Sequence, residues 1–369
     1  MQNKYLFLLV CGLLFPILLY LLFLTLQNLS VVAVQPIGVI GSLLADVKSG
    51  PVATKKSTTV TFVGDVMLAR NVEYLLKSRG SNYPFRHLTE LFAGSDTVVG
   101  NFESAVLKNH VKTPSFTTTF SVDSLFLPLL TKAGFTHMSL ANNHSFDYGP
   151  ATFTNTEIAL KEAGLSVLGN PNQVTTSTTA IITAGDYTIG LLAVNKIFSN
   201  IPWADIVTKI KDLEARTDYQ IVFVHWGEEY VLKHNNKQEE FAKKLIDTGI
   251  DAVVGHHPHV TQDIEVYKNK PIFYSLGNFI FDQYFSVDVQ QGLLLKLNIA
   301  TSTVTYTIVP ISSESSLSQP ALMAGREATL FLKNLARRSD PNFTQNIKAG
   351  LLILPFDLAT SSQNSMIEP

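Results

Sequence analysis

Six side chains of types that bind divalent metal ions each end or follow a short apolar stretch. They are Asp65, Glu103, Asn143, His225, His257 and His259. Carboxylate, amide and imidazole groups together suit borderline divalent ions, so the set predicts a site for one or two ions of Mn, Fe or Zn. Two ions close together would share a bridging carboxylate, for which we expect Glu103, and would generate a hydroxide that attacks at neutral pH. The sequence therefore indicates metal-dependent hydrolytic chemistry.

The segment His257-Pro258-His259 is the most informative part of this set. In an extended backbone, side chains two residues apart lie on the same face, and the proline prevents a helix. We therefore expect both imidazoles to point into the site, each toward a different ion. His256 is expected to face the other way and to support a ligand or contact substrate.

The candidate ligands stand where apolar strands give way to polar residues. The stretch TVTFVGD at residues 59–65 has the density of β-branched and aromatic residues that is typical of a buried strand, and similar strands precede His225 and Gly255. Helical patterns lie between such strands, for example at Pro150 to Ala163 and Lys237 to Asp247, with a glycine just beyond each. This alternation predicts an α/β fold, in which ligands bind at the carboxyl ends of the strands.

Two other stretches predict antiparallel hairpins and therefore a mixed sheet. Residues 178–195 alternate around a turn at Gly185-Asp186, and residues 292–311 form a second pair of apolar runs. After Ser312 the pattern weakens, although Arg326 to Arg338 is typical of a helix.

The amino terminus predicts a membrane anchor. Residues 5–26 are uncharged and long enough to cross the ~30 Å of a bilayer core. Lys4 precedes this run and the next basic residue is Lys48, so the positive-inside rule places the amino terminus in the cytoplasm and the rest outside. A cleaved signal peptide, with a processing site near Ala33, is the alternative. The expected location is the cell membrane, with a single span.

These observations divide the chain into four parts. We assign residues 1–27 to the cytoplasmic tip and anchor, 28–57 to a stalk, 58–312 to the main domain, and 313–369 to a helix and tail. The 28 basic and 30 acidic residues nearly balance, so there is no excess of positive charge of the kind that binds nucleic acid.

Polar motifs along the main domain resemble those of the CapA family. In chain order they are GDVM at 64–67, GNFES at 100–104, NNHSFD at 142–147, HWGEEY at 225–230, GHHPH at 255–259 and SLGNFIFDQ at 275–283. The family is associated with synthesis of poly-γ-glutamate capsules, and its fold is similar to that of calcineurin-like metallophosphoesterases. The resemblance covers residues 58–310 and implies a four-layer αββα sandwich of mixed sheets.

The resemblance also implies roles for residues beside the ligands. His144 would act as general acid or stabilise charge in the transition state, and Asp147 would either orient that imidazole or cap the helix that begins near Pro150. Asn101 and Asn278, like His256, are expected to contact ligands or substrate.

Two positions depart from the wider superfamily, in which the second motif supplies a bridging Asp and the first motif is Asp-x-His. GNFES offers Glu103 instead of that Asp. Met67 occupies the place of that histidine, and a thioether is a poor ligand for borderline ions. This leaves either a weaker first metal site, completed by water or Asn101, or a single metal. Glu228 and Glu229 are interpreted as solvated loop acids.

Three functions remain open at this point. The first is a hydrolase acting on a phosphoester or a γ-glutamyl amide. The second is a non-catalytic subunit of a membrane complex that synthesises or exports an anionic polymer. The third is an envelope phosphodiesterase.

Overall fold

The computed structural model describes residues 58–300 and 302–356. The predicted anchor at residues 5–26, the stalk and the tail beyond residue 356 lie outside the described residues. Within the described ranges, no helix is both long enough and apolar enough to cross a membrane.

The strands of the described residues make up two sheets. They are β1 (Thr59–Val66), β2 (Thr97–Phe102), β3 (His137–Ser139), β4 (Ser166–Leu168), β5 (Thr179–Ala184), β6 (Tyr187–Asn195), β7 (Tyr219–His225), β8 (Ala252–His256), β9 (Ile264–Tyr267), β10 (Lys270–Phe273), β11 (Asn278–Ile280), β12 (Gln291–Ile299), β13 (Thr303–Ser312), β14 (Ala321–Leu322) and β15 (Leu351–Pro355).

The α-helices connect these strands or follow them. They are α1 (Arg70–Arg79), α2 (Leu88–Leu91), α3 (Pro128–Ala133), α4 (Pro150–Glu162), α5 (Trp203–Glu214), α6 (Asn236–Asp247), α7 (Gly325–Arg338) and α8 (Thr344–Lys348). The helices that the sequence predicts at 150–163, 237–247 and 326–338 correspond to α4, α6 and α7.

Both sheets mix parallel and antiparallel pairs, as predicted. The first has the order β14-β13-β12-β1-β2-β3-β4, with β11 beside β1 and β15 beside β13. The second has the order β5-β6-β7-β8-β10-β9. The two predicted hairpins are confirmed, since β5 pairs antiparallel with β6 and β12 pairs antiparallel with β13.

Three apolar cores within the described ranges explain the layering. Between the sheets, buried residues of both contact each other, for example Phe62 and Phe223 with ring centroids 6.2 Å apart. A second core joins the first sheet to α1 and α4 through residues such as Leu160. A third joins the second sheet to α5 and α6 through Ile210 and Leu245. Each fully buried side chain of this size contributes about 1.5–3 kcal/mol, so the layers are held mainly by apolar burial.

The chain beyond residue 312 continues into the same structure. Strand β15 pairs antiparallel with β13, and Phe331 and Leu335 of α7 belong to the core between the sheets. The sequence predicts the α7 helix but leaves residues 351–355 ambiguous, because an isolated apolar run fits both a strand and a helix.

A close approach of two backbones places the first candidate ligand. A Cβ atom on Gly64 would lie 1.9 Å from the carbonyl oxygen of Gly277, so only glycine fits there. The Asp65 N–H donates to that same carbonyl at 3.0 Å, and Asp65 is paired with Asn278 of β11. Strands β1 and β11 thus bring an aspartate and an asparagine to one edge of the sheet.

Candidate metal centre

Asp65 lies at the centre of the candidate site. It is fully buried, its Oδ1 accepts a hydrogen bond from Asn101 Nδ2 at 2.8 Å, and its Oδ2 accepts one from the His257 backbone N–H at 3.3 Å. His259 Nδ1 lies 3.2 Å from Oδ2. Burial by itself raises the pKa of Asp65, but the hydrogen bond and charge of His259 outweigh it, so the pKa is lowered. Asp65 therefore carries a negative charge.

Glu103 follows β2 and is also fully buried. Its Oε1 accepts a second hydrogen bond from Asn101 Nδ2, at 2.8 Å, so one amide group joins both carboxylates. Burial and then the charge of Asp65 raise the pKa of Glu103 well above its ordinary value. Of the two carboxyl groups, Glu103 therefore holds a proton more readily than Asp65 does.

His225 ends β7 and faces these carboxyl groups across the space between the sheets. Its Nε2 lies 2.7 Å from Asn143 Oδ1, while its Nδ1 lies 3.9 Å from Glu103 Oε1. Burial, and then the repulsion between the protonated forms of His225 and His257, lower the pKa of His225 well below its ordinary value. The imidazole is therefore neutral, which is the form that binds metal ions.

We call Asp65, Glu103 and His225 the buried cluster. Their ligand atoms lie within 4.8 Å of one another, and all three residues are buried. Each belongs to the end of a strand or to the residue that follows it, which is where the sequence predicts ligands.

A second group, Glu229, His257 and His259, lies beside the first, and we call it the rim cluster. Its ligand atoms also lie within 4.8 Å of one another, and Glu229 is exposed whereas both histidines are buried. Burial lowers the pKa of His257 to about 3, and the charge of His259 acts in the same direction. The rim cluster therefore offers a neutral imidazole at His257 and a solvent-facing carboxylate.

The backbone of the His257-Pro258-His259 segment is not extended, so the predicted conformation is wrong. His257 has a φ of 97° and His259 a φ of 58°, both in the left-handed region. The reason is that the chain turns back after β8 while the His257 N–H is held by Asp65, and the Pro258 carbonyl accepts a hydrogen bond from the Tyr230 N–H at 2.8 Å. The two imidazoles nevertheless lie together, with ring centroids 5.9 Å apart. Strained backbone of this kind is concentrated at functional sites.

Glu229 is the site residue that the sequence reasoning missed. It is brought to the histidines by the turn at 226–230, in which Gly227 has a φ of 92° and Tyr230 a φ of 65°. The available signal was its place in HWGEEY, four residues after His225. A loop acid gives no periodic pattern, so only the fold distinguishes it from its exposed neighbour Glu228.

His144 lies beside both clusters and is held from two sides. Its Nδ1 is 3.1 Å from Asp147 Oδ2, and its ring stacks on Phe120 at a centroid distance of 3.9 Å. The same Asp147 oxygen accepts the Phe120 N–H at 2.8 Å. The residue preceding α4 is Gly149 and no side chain caps that helix, so Asp147 orients the imidazole rather than capping α4. His144 Nε2 faces Asn143, with 3.2 Å between Nε2 and Nδ2.

Three residues were expected to contact ligands or substrate, and each contacts a candidate ligand or the strand that carries one. Asn101 bonds both carboxylates of the buried cluster, and Asn278 Oδ1 lies 2.9 Å from His259 Nδ1. His256 is fully buried beside His225, its partner in the β7–β8 register, and its Nε2 bonds the Val63 carbonyl, two residues before Asp65, at 3.0 Å.

Met67 is directed away from the candidate ligands. It is fully buried in the core between the first sheet and its helices, and its sulfur accepts a hydrogen bond from the Ala69 N–H at 3.0 Å. Met67 is therefore part of the core.

The donor set fits a divalent cation. Among the residues that the structure describes, Glu103 Oε2 and His257 Nδ1 are buried side-chain atoms without a hydrogen-bond partner. Buried polar atoms are nearly always paired, so two unpaired ligand atoms, one in each cluster, indicate that something else satisfies them. Neutral imidazoles and carboxylates are the groups that Zn, Mn and Fe prefer.

Comparisons with known proteins agree with the motifs. A family model described as "Bacterial capsule synthesis protein PGA_cap" matches residues 59–283. The capsule biosynthesis protein CapA of Bacillus anthracis is 34% identical over 290 residues, covering 72% of this chain and 70% of that protein. The PGA biosynthesis protein CapA of Bacillus subtilis (strain 168) is 28% identical over 315 residues, covering 81% of this chain and 82% of that protein. The resemblance predicted from the motifs is confirmed.

A solved structure described as a novel phosphatase, from Mycoplasma pneumoniae, aligns with a TM-score of 0.42 at 15% identity. It covers 72% of this chain and 91% of that chain. A likeness this distant carries no information about the site.

Proposed function

Because this chain belongs to the family of bacterial capsule synthesis proteins described as PGA_cap, we propose that it acts in the synthesis or export of an anionic poly-γ-glutamate capsule. Its proposed activity is metal-dependent hydrolysis of a γ-glutamyl amide or a phosphoester. The observation that carries this proposal is the meeting of two ligand clusters, each with an unpaired buried ligand atom, beside a histidine that is not a ligand.

The residues divide into ligands and a proton donor. The buried cluster, with Asn143, and the rim cluster would hold one or two ions of Zn, Mn or Fe. A bound ion would supply Lewis acidity there and would lower the pKa of a water molecule bound to it. Asp147 accepts from His144 Nδ1 and so fixes the ring, and the protonated imidazole would pass a proton from Nε2 to a leaving group that replaces its contact with Asn143 Nδ2. Phe120 covers one face of the imidazole and limits access of bulk water to that face.

The proposal includes the location of the chain. Residues 5–26 anchor it in the cell membrane with the amino terminus in the cytoplasm, and the domain lies outside, where capsule polymer emerges. Protease added to intact cells would then degrade the domain, whereas protection of the domain until the cells are lysed would contradict this orientation.

A non-catalytic role in a polymer-synthase complex is the second candidate. The observation that favours it is Met67, whose sulfur is engaged by the Ala69 N–H inside the core and is not available as a ligand. In that case the metal site would stabilise the fold or hold the polymer. An envelope phosphodiesterase is a variant of the first proposal with another substrate.

The test uses the full chain in detergent. Bound Zn, Mn and Fe are measured by mass spectrometry, and hydrolysis is measured on a γ-linked glutamate oligomer and on an activated phosphodiester. We expect His144→Ala to keep the metal and to lose about 10²–10⁴-fold in turnover, the usual contribution of a general acid. His87→Ala, a change at an exposed histidine away from the site, is the matched control.

The outcomes separate the candidates. Stoichiometric metal with turnover that depends on His144 supports the hydrolase, and the better substrate decides between amide and phosphodiester. Metal without turnover on either substrate supports the non-catalytic role. A chain that binds no metal after reconstitution would overturn the site assignment itself.

A further inference from the structure

A cavity lies on the other side of the 226–230 turn from the rim cluster, and we call it the loop cavity. It has a volume of about 280 Å³, and the residues of its lining that matter here are Lys196, Trp226, Glu228, Asn235, Lys237 and Phe241. Glu228 lines the cavity while the next residue, Glu229, belongs to the rim cluster. Consecutive Cα atoms are about 3.8 Å apart, so the two sites are immediate neighbours.

The loop cavity has an excess of positive charge. Its charged lining residues are Lys196, Lys237 and Glu228. In the described part of the chain neither lysine forms an ion pair, and Glu228 Oε1 accepts a hydrogen bond from Asn235 Nδ2 at 3.1 Å. Lys196 is half-buried, and its Nζ lies 5.1 Å from the centre of the Phe241 ring. A partly desolvated cation with an aromatic neighbour and no carboxylate partner is a favourable position for an anion.

The neighbourhood of Lys196 strengthens this reading. Burial, and then the charge of Lys244, lower the pKa of Lys196. Lys244 itself lies over the Trp203 ring at 4.0 Å. A bound carboxylate would offset the repulsion between Lys196 and Lys244. It would also stabilise the charged form of Lys196, which burial disfavours.

The walls of the cavity are held in place. A Cβ on Gly227 would lie 2.7 Å from the Gln238 side chain, so the turn packs directly on the first turn of α6. Gln238 and Asn235 bond each other's backbone N–H groups in a capping box. On the opposite wall the Lys196 N–H donates to the His225 carbonyl at 2.8 Å. The cavity is therefore preorganised, and its position is tied to a residue of the buried cluster.

We propose that the loop cavity binds a carboxylate group of an anionic chain whose next linkage lies at the metal centre. The placement of the polymer's next linkage at the metal centre rests on the proposed function. The cavity and its lysines do not include any of the metal ligands. Poly-γ-glutamate carries a free carboxylate on every unit, which is ionised at neutral pH. Lys196 and Lys237 hold one of these groups, while Trp226 and Phe241 contact the methylene groups between them.

The test measures binding of a short γ-linked glutamate oligomer to the full chain by calorimetry, both metal-loaded and after treatment with a chelator. Lys196→Met and Lys237→Met keep the apolar stems and remove the charges. We expect each to weaken oligomer binding about tenfold, since a charge-assisted hydrogen bond is lost. Lys333→Met removes an exposed charge on α7, outside the cavity, and is expected to leave binding unchanged.

A variant that binds more tightly tests the same proposal, and misfolding cannot explain its effect. Glu228→Gln removes the one negative charge among the charged lining residues. It is expected to tighten oligomer binding about threefold, because the partly screened repulsion between Glu228 and the carboxylates of the oligomer is lost. Inorganic phosphate is the competing probe. We expect it to displace the oligomer only weakly, because it has no apolar segment to contact the aromatic residues.

Each result has a defined meaning. Weaker binding in both cavity variants, with Lys333→Met unchanged, supports the proposal. Equal binding by all variants overturns it, and displacement by phosphate as strong as by the oligomer overturns the assignment to a carboxylate chain. Cavity-dependent binding by a chain that holds no metal and hydrolyses nothing would support the carboxylate contact and contradict the proposed function. Hydrolysis that depends on His144 but not on the cavity lysines would support the proposed function and contradict the carboxylate contact.

Discussion

The two ligand clusters differ in how the backbone presents them. The buried cluster takes its residues from strand ends or directly after them, none of the three has a positive φ, and all three side chains are buried. The rim cluster takes its residues from two loops, with left-handed backbone at His257, His259 and Tyr230 and one exposed carboxylate. The first cluster is therefore fixed by the sheets, whereas the second depends on loops that must be held in a strained conformation.

This difference assigns the clusters separate parts in the site. Strand ends packed between two sheets cannot move without disturbing the core, so the buried cluster is suited to constant retention of an ion. Loops have a lower cost of local opening. The rim cluster is therefore suited to the side where substrate enters and product leaves.

The largest expected effect comes from the residue that joins the clusters. Asp65 contacts Asn101 through one oxygen and the His257 and His259 groups through the other, so Asp65→Asn removes the charge that both clusters share. Changing a residue that only hydrogen-bonds a metal ligand costs up to about 100-fold in metal affinity. Asp65 is itself a candidate ligand, so we expect metal affinity to fall by more than this. Calorimetric titration with Zn or Mn checks this.

The control for this change is Asp205→Asn, at an exposed position on α5. If Asp65→Asn weakened one metal-binding event and left a second at full strength, the two clusters would be independent sites, and the shared role of Asp65 would be wrong.

A smaller effect is expected at the rim. Glu229→Gln removes the exposed carboxylate ligand and should weaken metal binding about 10–100-fold, with the fold unchanged. The neighbouring change, Glu228→Gln, is the matched control because that side chain is also exposed but lines the loop cavity. Equal metal affinity in both variants would remove Glu229 from the site and leave the rim with its histidines alone.

The same contrast explains what could be predicted from sequence. Asp65 and His225 were predictable because strand patterns are local and strand ends converge at one edge of an α/β fold. Glu229 and the conformation of His257 were not, since both depend on contacts between distant segments, such as the bond from Tyr230 to the Pro258 carbonyl. The departure at Met67 was visible in the sequence, and so was its placement in the core or the wall of the site; the structure decides for the core.

The role of Asp147 shows the same limit. A short polar side chain just before a helix fits capping and also fits an imidazole partner, and the sequence left both open. Only the position of the loop that carries Phe120 decides between them, because the Phe120 N–H and His144 share one carboxylate oxygen.

A third prediction concerns the proton held within the buried cluster. Because the pKa of Glu103 is raised by burial and by Asp65, metal binding must displace a proton from Glu103 at pH values below that raised pKa. Metal affinity should therefore rise with pH, by up to about tenfold per unit, and level off above it. Calorimetry in buffers of different ionisation enthalpy should show release of about one proton per ion.

Glu103→Gln is the variant that tests the source of this proton. It should bind metal more weakly and with no proton release from this position, whereas Glu229→Gln, on the rim, should keep the release. Proton release that persists in Glu103→Gln would show that a histidine, and not Glu103, is displaced.

The smallest expected effect lies in the loop that follows Glu229. His234 Nδ1 lies 2.8 Å from Asp263 Oδ2, and its ring stacks on Tyr274 at 3.9 Å. Burial opposes the charged form, but the hydrogen bond and charge of Asp263, with the charges of Glu265 and Glu239, outweigh it and raise the pKa of His234. A raised folded-state pKa means that the stabilisation is complete below the unfolded value of about 6.5 and is lost as the pH rises through the folded value.

His234→Gln should therefore lower the melting temperature by about 2 °C at pH 6 and have little effect at pH 9, as for loss of one partly exposed pair in a domain of this size. His87→Gln, at an exposed histidine outside the loop, should show no such difference. Because the affected loop is continuous with Glu229, metal affinity at pH 6 should fall slightly in His234→Gln but not in His87→Gln. A loss of equal size at both pH values would mean that His234 acts by packing on Tyr274, and the rim cluster would then depend on shape rather than on charge.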